Sequence, residues 1–328
     1  MTKRPSLRDV AQLANVSIAT VSHVINGTRY VEPQTAERVR SAIDQLHYVN
    51  NGWAKMLRSE KSDIIGMLIN DLVNPYSISI TNSALELVRA RGYQLYITPV
   101  SNDDPEGNDR AVETLMSYRA AGVLSIPLNS TVIHRIHDQL RGIPMSCIEG
   151  DPALTDTVDT NHLEATREAV SLIAHRHTRI GFVCGAVVYP TSESRLQGYR
   201  QAIEAAGIAF QPRYIACGDS SVKGGYEATR KLLTTDITAL FVANDLMMQG
   251  ALQAISEVDV GLFDRLAIVG FDDQDWYSFY RPSITAIRQP LREMVSKAVD
   301  LLFQRIHQPD RPLEQHILPA SLIRRESF

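Results

Sequence analysis

The stretch SLRDVAQLANVSIATVSHVIN, Ser6–Asn26, holds two short helical patterns separated by three residues, and that spacing decides the first part of the fold. In the first pattern Leu7, Val10, Ala11 and Ala14 recur at helical intervals, with Ser6 as N-cap and Asp9 three residues on. Asn15 follows, a residue that tolerates the left-handed backbone a tight turn needs. Ser17 then caps a second helix that buries Val21, Val24 and Ile25 and ends near Asn26–Gly27. Its other face presents Ile18, Ala19, Ser22, His23 and Asn26, which are small, mostly uncharged groups of varied hydrogen-bonding character. A third helix begins at Pro33, a residue suited to a first turn, buries Ala36, Val39, Ile43 and Leu46, and stops at HYVNN. Two short helices across a three-residue turn, braced by a third, form a helix-turn-helix unit.

Beyond LRSEKSD the pattern changes. Short β-rich runs (DIIGMLI, YQLYITPV, GVLSIPL, PMSCIEG, then RIGFVCG, RYIACG, TALFVAND, LAIVGFDD) alternate with segments of helical period at 79–91, 108–119, 194–206 and 245–257. This alternation predicts parallel sheets covered by helices on both faces. A break near residues 156–165 divides the runs into two series, which predicts two similar open α/β lobes. Such sheets bind ligands where loops leave the carboxyl ends of the strands. Those ends read NDLVNPY, EGD, GAVVYPTSESR, AND and GFDD, the richest supply of hydrogen-bonding groups in the chain.

At 328 residues, 44% hydrophobic and 21% charged, the chain fits a globular protein of two to three domains rather than a disordered or fibrous one. No apolar run approaches the roughly 18 residues of a membrane span, so no membrane partner is expected. The first twenty residues carry a charge every few positions, which argues against a signal peptide. Cys147, Cys184 and Cys217 are odd in number, far apart and set in apolar runs, which predicts reduced, buried thiols and a cytoplasmic protein. Residues 1–62 carry nine Lys and Arg against five Asp and Glu, while the remainder carries 24 against 32. A small basic segment on a larger acidic body suggests that only the first part meets a polyanion.

No P-loop, no GxGxxG after a strand, no GxSxG and no HExxH is present, so neither an enzyme nor a cofactor is expected. The pairs His175/His177 and His134/His137 lack a matching cysteine or carboxylate set and read as surface histidines, and DDQD at 272–275 reads as a strand-end loop; no metal site is expected. A periplasmic-type solute-binding protein would share the lobes but have a signal peptide and no basic headpiece.

Seven stretches in one order resemble the lactose/galactose repressor (LacI/GalR) family of transcription regulators: LRDVAQLANVSIATVSHVINGTRYV, ERVRSAIDQLHYVNNGWAKML, IGMLINDLVNPY, RLQGYRQAI, LFVANDLMMQGAL, LAIVGFDD and SITAIRQP. They cover nearly the whole chain, and the first sixty residues look most like the purine repressor of that family. The resemblance implies a helix-turn-helix headpiece over 1–48, a hinge helix or linker over 49–62, and an effector-binding, dimerising core over 63–328. The core is a periplasmic-binding-protein-like pair of interleaved α/β lobes with open parallel sheets.

The resemblance also implies roles for particular residues. Ile18, Ala19 and His23 face bases of the major groove, with His23 supplying most of the polar readout, while Ser6, Ser17, Thr20, Ser22, Asn26, Thr28 and Tyr30 hold phosphates and Arg29 lies near the DNA. In the hinge, Leu57 wedges into the minor groove of a pseudo-palindromic operator, and Lys55 and Arg58 reach phosphates. Two departures stand out there. The family often has proline where Asn50 stands, and Gly52–Trp53 is unusual, so the free hinge is expected to order only on DNA.

For the effector pocket the resemblance implies Asn70, Tyr76, Glu149, Thr191, Arg195, Ser220, Asn244, Asp245, Asp272 and Gln289. Ser220 stands where the family usually has Trp or Phe, and Ser77 stands where the purine repressor has its second ring. Losing both rings disfavours a purine and favours a sugar or sugar derivative. The family's leucine-rich tetramerising tail has no counterpart after LIRRESF, which implies a homodimer on double-stranded DNA.

Overall fold

The structure, a computed structural model, describes residues 5–48, 62–126, 128–186 and 188–328. The chain divides into two compact units, residues 1–62 and 63–328.

In the first unit α1 (Leu7–Ala14), α2 (Ile18–Asn26) and α3 (Pro33–Gln45) follow the sequence pattern. Ser6 and Asp9 close a reciprocal capping box, Asn15 takes φ 52° at the end of α1, and Gly27 takes φ 62° at the end of α2. Val10, Val21 and Val39 are fully buried, one from each helix, and Ala11, Ala14, Ala42 and Tyr48 complete the small core. Ala36, Ile43 and Leu46 are only partly buried; the inner positions of α3 belong to Val39 and Ala42.

The second unit contains two sheets. The first runs β11-β5-β4-β3-β1-β2, built from β1 (Ile64–Ile69), β2 (Gln94–Pro99), β3 (Gly122–Ser125), β4 (Met145–Ile148), β5 (Asp156–Thr160) and β11 (Gln315–Leu318), all neighbours parallel. The second runs β12-β10-β9-β8-β6-β7, from β6 (Ile180–Cys184), β7 (Ile215–Cys217), β8 (Ala239–Val242), β9 (Ala267–Phe271), β10 (Thr285–Arg288) and β12 (Ser321–Ile323). Its neighbours are parallel except at one edge, where β12 runs antiparallel to β10.

Helices α4 (Pro75–Ala90), α5 (Pro105–Ser117), α6 (Ser130–Gln139) and α11 (Leu291–His307) belong to the first lobe. The second lobe carries α7 (His162–Ala174), α8 (Pro190–Ala205), α9 (Val222–Leu233) and α10 (Asp245–Val258). The chain therefore passes from lobe to lobe after β5, after β10 and between β11 and β12. The last helix, α11, returns to fill the first lobe's core with Met294, Val295, Ala298, Val299, Leu301 and Leu302. Arg305 on that helix clamps the fully buried Asp156 of β5 through Nε at 2.6 Å and Nη2 at 2.9 Å. This bidentate charge-assisted pair ties the late helix to an early strand.

Two expectations are corrected. The break near residues 156–165 contains β5, whose DTVDT sequence has Val158 as its only apolar residue and so lacks the apolar run of its neighbours. Cys184 and Cys217 are not free thiols. They stand opposite each other in register on β6 and β7 and form a disulfide, a contact that their separation of 33 residues conceals in the sequence. Only Cys147 is a free, buried thiol, and burial pushes its pKa up to about 12. Among the described residues no helix is long and apolar enough to cross a membrane.

Candidate functional site

In the second unit, strand ends converge on one cavity of about 600 Å³ including its open mouth. All ten residues singled out from the sequence line it: Asn70 after β1, Tyr76 in the first turn of α4, Glu149 after β4, Thr191 and Arg195 in the first turns of α8, Ser220 after β7, Asn244 and Asp245 at the start of α10, Asp272 after β9 and Gln289 after β10. Asn74, Gly185, Tyr189, Ser192 and Ala243, which the resemblance does not mark, also line the cavity, as does Ser77, which it marks only as a missing ring. A signal for Ser192 was available, since it stands three residues before Arg195, on the same helical face. Gly185 is required by close approach: a Cβ there would lie 2.7 Å from Ser192 Oγ and 3.0 Å from Ser220 Oγ.

Three of these residues, Glu149, Ser220 and Asp272, hold positive φ (55°, 66° and 68°). Non-glycine residues rarely adopt this conformation, and such strain concentrates at functional positions. Here it turns each side chain off its strand end toward the cavity.

Arg195 is the cavity's cation and is itself only 8% exposed. Its Nη1 donates to Ala243 O at 2.5 Å, its Nε and Nη2 lie 3.3 Å from His162 Nδ1, and its guanidinium sits 3.7 Å from the Phe271 ring centroid. These contacts fix the fork while leaving further N–H donors for a ligand. Around it stand three carboxylates. Burial raises the pKa of Asp245 to about 7, with Asp272 adding to the effect. Asp272 is also raised by burial, against the pull of Arg195. Glu149 lies on the first-lobe side. Amides complete the wall: Asn244 caps α10 and donates to Ser220 O at 3.1 Å, and Gln289 donates to Asp272 at 2.6 Å. Glu149 Oε1 stands 3.0 Å from His162 Nε2, and Gln289 Oε1 is buried without a well-directed hydrogen-bond partner. Buried polar atoms of that kind need a partner from the ligand side.

The acidic run DDQD divides by role. Asp272 faces the cavity, while Asp273 is clamped by Arg288 and Arg325 at 2.6 Å each. His134 pairs with Asp151 rather than with His137.

In the first unit Ile18 is 44% exposed, Ala19 and Asn26 are exposed, and Thr20, Ser22 and His23 are half-buried. Ser6 and Ser17 are exposed but occupied as caps, and Ser17 Oγ also meets Thr20 Oγ1 at 2.8 Å. Asn26 donates to Ser22 O at 2.8 Å. His23 Nδ1 meets Thr28 Oγ1 at 2.8 Å, which orients the ring and leaves Nε2 for an outside partner. Thr28, Arg29 and Tyr30 are exposed, Tyr30 at 88%. Lys55, Leu57 and Arg58 lie outside the described residues.

Comparison with known proteins places both units. Residues 6–51 match the family model for bacterial regulatory proteins of the lacI family, and residues 151–328 match that for a periplasmic binding protein-like domain. The HTH-type transcriptional repressor PurR of Haemophilus influenzae is 33% identical over 329 residues, covering 98% of both chains. The ribose operon repressor of Escherichia coli is likewise 33% identical over 328 residues, covering 98% of this chain and 99% of its own. A crystal structure of the lac repressor dimer bound to operator and the anti-inducer ONPF superposes with a TM-score of 0.87 at 28% identity, covering 99% of both chains.

Proposed function

The chain belongs to the lacI family of bacterial regulatory proteins, and from that premise we propose that it is a repressor whose core cleft answers to a small neutral sugar. Equal identity to a purine and to a ribose repressor leaves the effector class to the cleft itself. The observation that carries the sugar reading is its charge balance. One guanidinium, Arg195, stands among Glu149, Asp245 and Asp272, with the amides of Asn70, Asn244 and Gln289 around them. Hydroxyl groups satisfy acceptors and donors together, whereas a carboxylate or phosphate ligand would meet three acids for one cation. The serines at 77 and 220 leave no ring at either position where a purine would stack.

The headpiece, residues 1–48, reads a pseudo-palindromic operator as one half of a homodimer, with Ile18, Ala19 and His23 toward the bases and Arg29 and Tyr30 toward phosphates. Residues 49–62 form the hinge, with Leu57 as the minor-groove wedge. Sugar bound between Glu149 of the first lobe and Arg195 of the second favours one lobe arrangement, and it acts on DNA only through that difference in affinity. A chromosomal operator puts the protein in the cytoplasm.

A thermal-shift series with neutral sugars, sugar acids and purines tests the reading. A ligand selective for the folded state raises the melting temperature. A neutral sugar that does so and changes operator retention on a gel supports it, whereas stabilisation by purines alone overturns it.

A further inference from the structure

Where the chain first leaves the first lobe, the residue that opens α7 is His162, only 4% exposed. Its two ring nitrogens face opposite lobes. Nδ1 lies 3.3 Å from both Nε and Nη2 of Arg195. Nε2 lies 3.0 Å from Glu149 Oε1 and 3.1 Å from Asp159 Oδ1. A guanidinium only donates hydrogen bonds, so Nδ1 must offer its lone pair and the single proton of neutral imidazole sits on Nε2, between two carboxylates.

We infer that His162 is a proton-gated positioning residue: neutral, it anchors Arg195 to the cleft floor, and a second proton, on Nδ1, releases Arg195 toward Asp272. The inference rests on the proposed role of Arg195 in effector binding, but the linkage itself needs no effector.

The surroundings pull on that second proton in both directions. On the first-lobe side Glu149 and Asp159 favour the imidazolium; on the second, Arg195 opposes it and Asp272 receives the freed guanidinium. The Phe271 ring, 5.5 Å away between centroids, packs on the imidazole without charge. Burial lowers the proton affinity of His162 and Glu149 raises it, with Arg195 opposing, and the balance lies above the ordinary imidazole value.

The ligand atoms of Glu149, Asp159 and His162 also lie within 4.8 Å of one another, a spacing that fits a divalent cation. Coordination at Nε2 would drive the ring proton to Nδ1, directly against the Arg195 donors. A proton on Nε2, facing the two carboxylates, has no such conflict.

Long-range proton–nitrogen correlation spectra of the full-length protein, labelled with ¹⁵N-histidine and ¹⁵N-arginine, test the inference. His162 and Arg195 are assigned by loss of their signals in His162→Gln and Arg195→Lys. At pH 8 the expected pattern for His162 is a protonated Nε2 and a bare Nδ1. Lowering the pH to 6 protonates both, and the Arg195 Nε–H signal shifts with the same midpoint. His162→Gln, which keeps one acceptor and one donor but takes up no proton, holds the Arg195 signal constant over that range. A proton on Nδ1 at pH 8, or an Arg195 signal indifferent to the His162 titration, overturns the inference. Equimolar zinc chloride should leave the His162 signal unmoved, and a shift at Nε2 would replace the relay with a metal site. If the coupled titration holds while no sugar binds, the failure belongs to the proposed function alone.

Discussion

The headpiece surface and the core cleft do comparable work by opposite constructions. The headpiece presents Ile18 to Tyr30 as one continuous stretch, exposed or half-buried but for the core residue Val21, on a core only a few side chains deep. The cleft gathers residues from Asn70 to Gln289 from several strand ends of both sheets, and buries its one cation. A contiguous exposed surface depends on little besides its own helix. A gathered, buried site depends on the register of two sheets, and it can hold groups such as Asp245 and Asp272 in states that water would not allow. Breaking either unit should therefore leave the other intact, and their responses to charge should differ.

The largest effect is expected from Val21→Asp. Val21 is fully buried in α2, and an unpaired charge there costs several kcal/mol, about what a core of this size supplies in total. Operator binding should vanish in a gel-shift assay while the sugar-induced melting shift of the core persists. Arg195→Ala should produce the mirror image. Truncating one partner of a buried charged network costs about 2–5 kcal/mol, so calorimetric sugar affinity should fall by at least roughly 30-fold. Operator affinity without sugar should stay unchanged. A response to sugar that survives Arg195→Ala would remove Arg195 from the effector site.

The same contrast explains what the sequence disclosed. The three headpiece helices were legible because their caps and apolar spacing are local: Ser6 with Asp9, Ser17 with Thr20, Pro33 at a first turn. The ten cleft residues were legible only through resemblance, since nothing local ties Asn70 to Gln289. The strands that escaped, β5, β10, β11 and β12, have three to five residues each and break their apolar runs with polar groups, and β11 and β12 stand at sheet edges. The Cys184–Cys217 pair and the links of His162 to Glu149 and Arg195 exist only through tertiary register. Tyr189 was missed because it precedes α8 outside its helical repeat.

A moderate effect separates reading from holding on the DNA side. His23→Ala should cost about 1–3 kcal/mol at one base-pair position and relax the preference there, measured as the ratio of affinities for operators differing at that pair. Thr28→Ala, which removes only the partner of His23 Nδ1, should weaken the same preference less. A preference unchanged in both variants would pass the readout to Ile18 and Ala19.

On the core side the corresponding test is titration. Asp245 binds its proton more tightly when folded, with a pKa near 7 against an ordinary value of 3.8. Between those values the folded state holds more protons than the unfolded one, so this group's contribution to stability falls as pH rises and becomes constant above pH 7. Asp245→Asn should flatten that part of the profile of melting temperature against pH between 4 and 7. A profile with unchanged slope would assign the pH dependence to Asp272 and His162. No headpiece substitution should alter it.

The smallest effect is the most diagnostic of the headpiece's exposed construction. Arg29 is exposed beyond the end of α2, so its charge remains fully hydrated until DNA arrives. Each neutralised phosphate contributes about −0.9 to the slope of log affinity against log salt. A dimer carries two copies, so Arg29→Ala should reduce the steepness of that slope by about 1.8 while leaving the ratio between matched and mismatched operators unchanged. His23→Ala should do the reverse, moving the ratio and sparing the slope. If Arg29→Ala changes base preference instead, its guanidinium reads a base edge, and the division between a reading helix and a holding loop falls. If it changes neither quantity, the loop after α2 stands clear of the DNA, and the reading surface is confined to Ile18–Asn26.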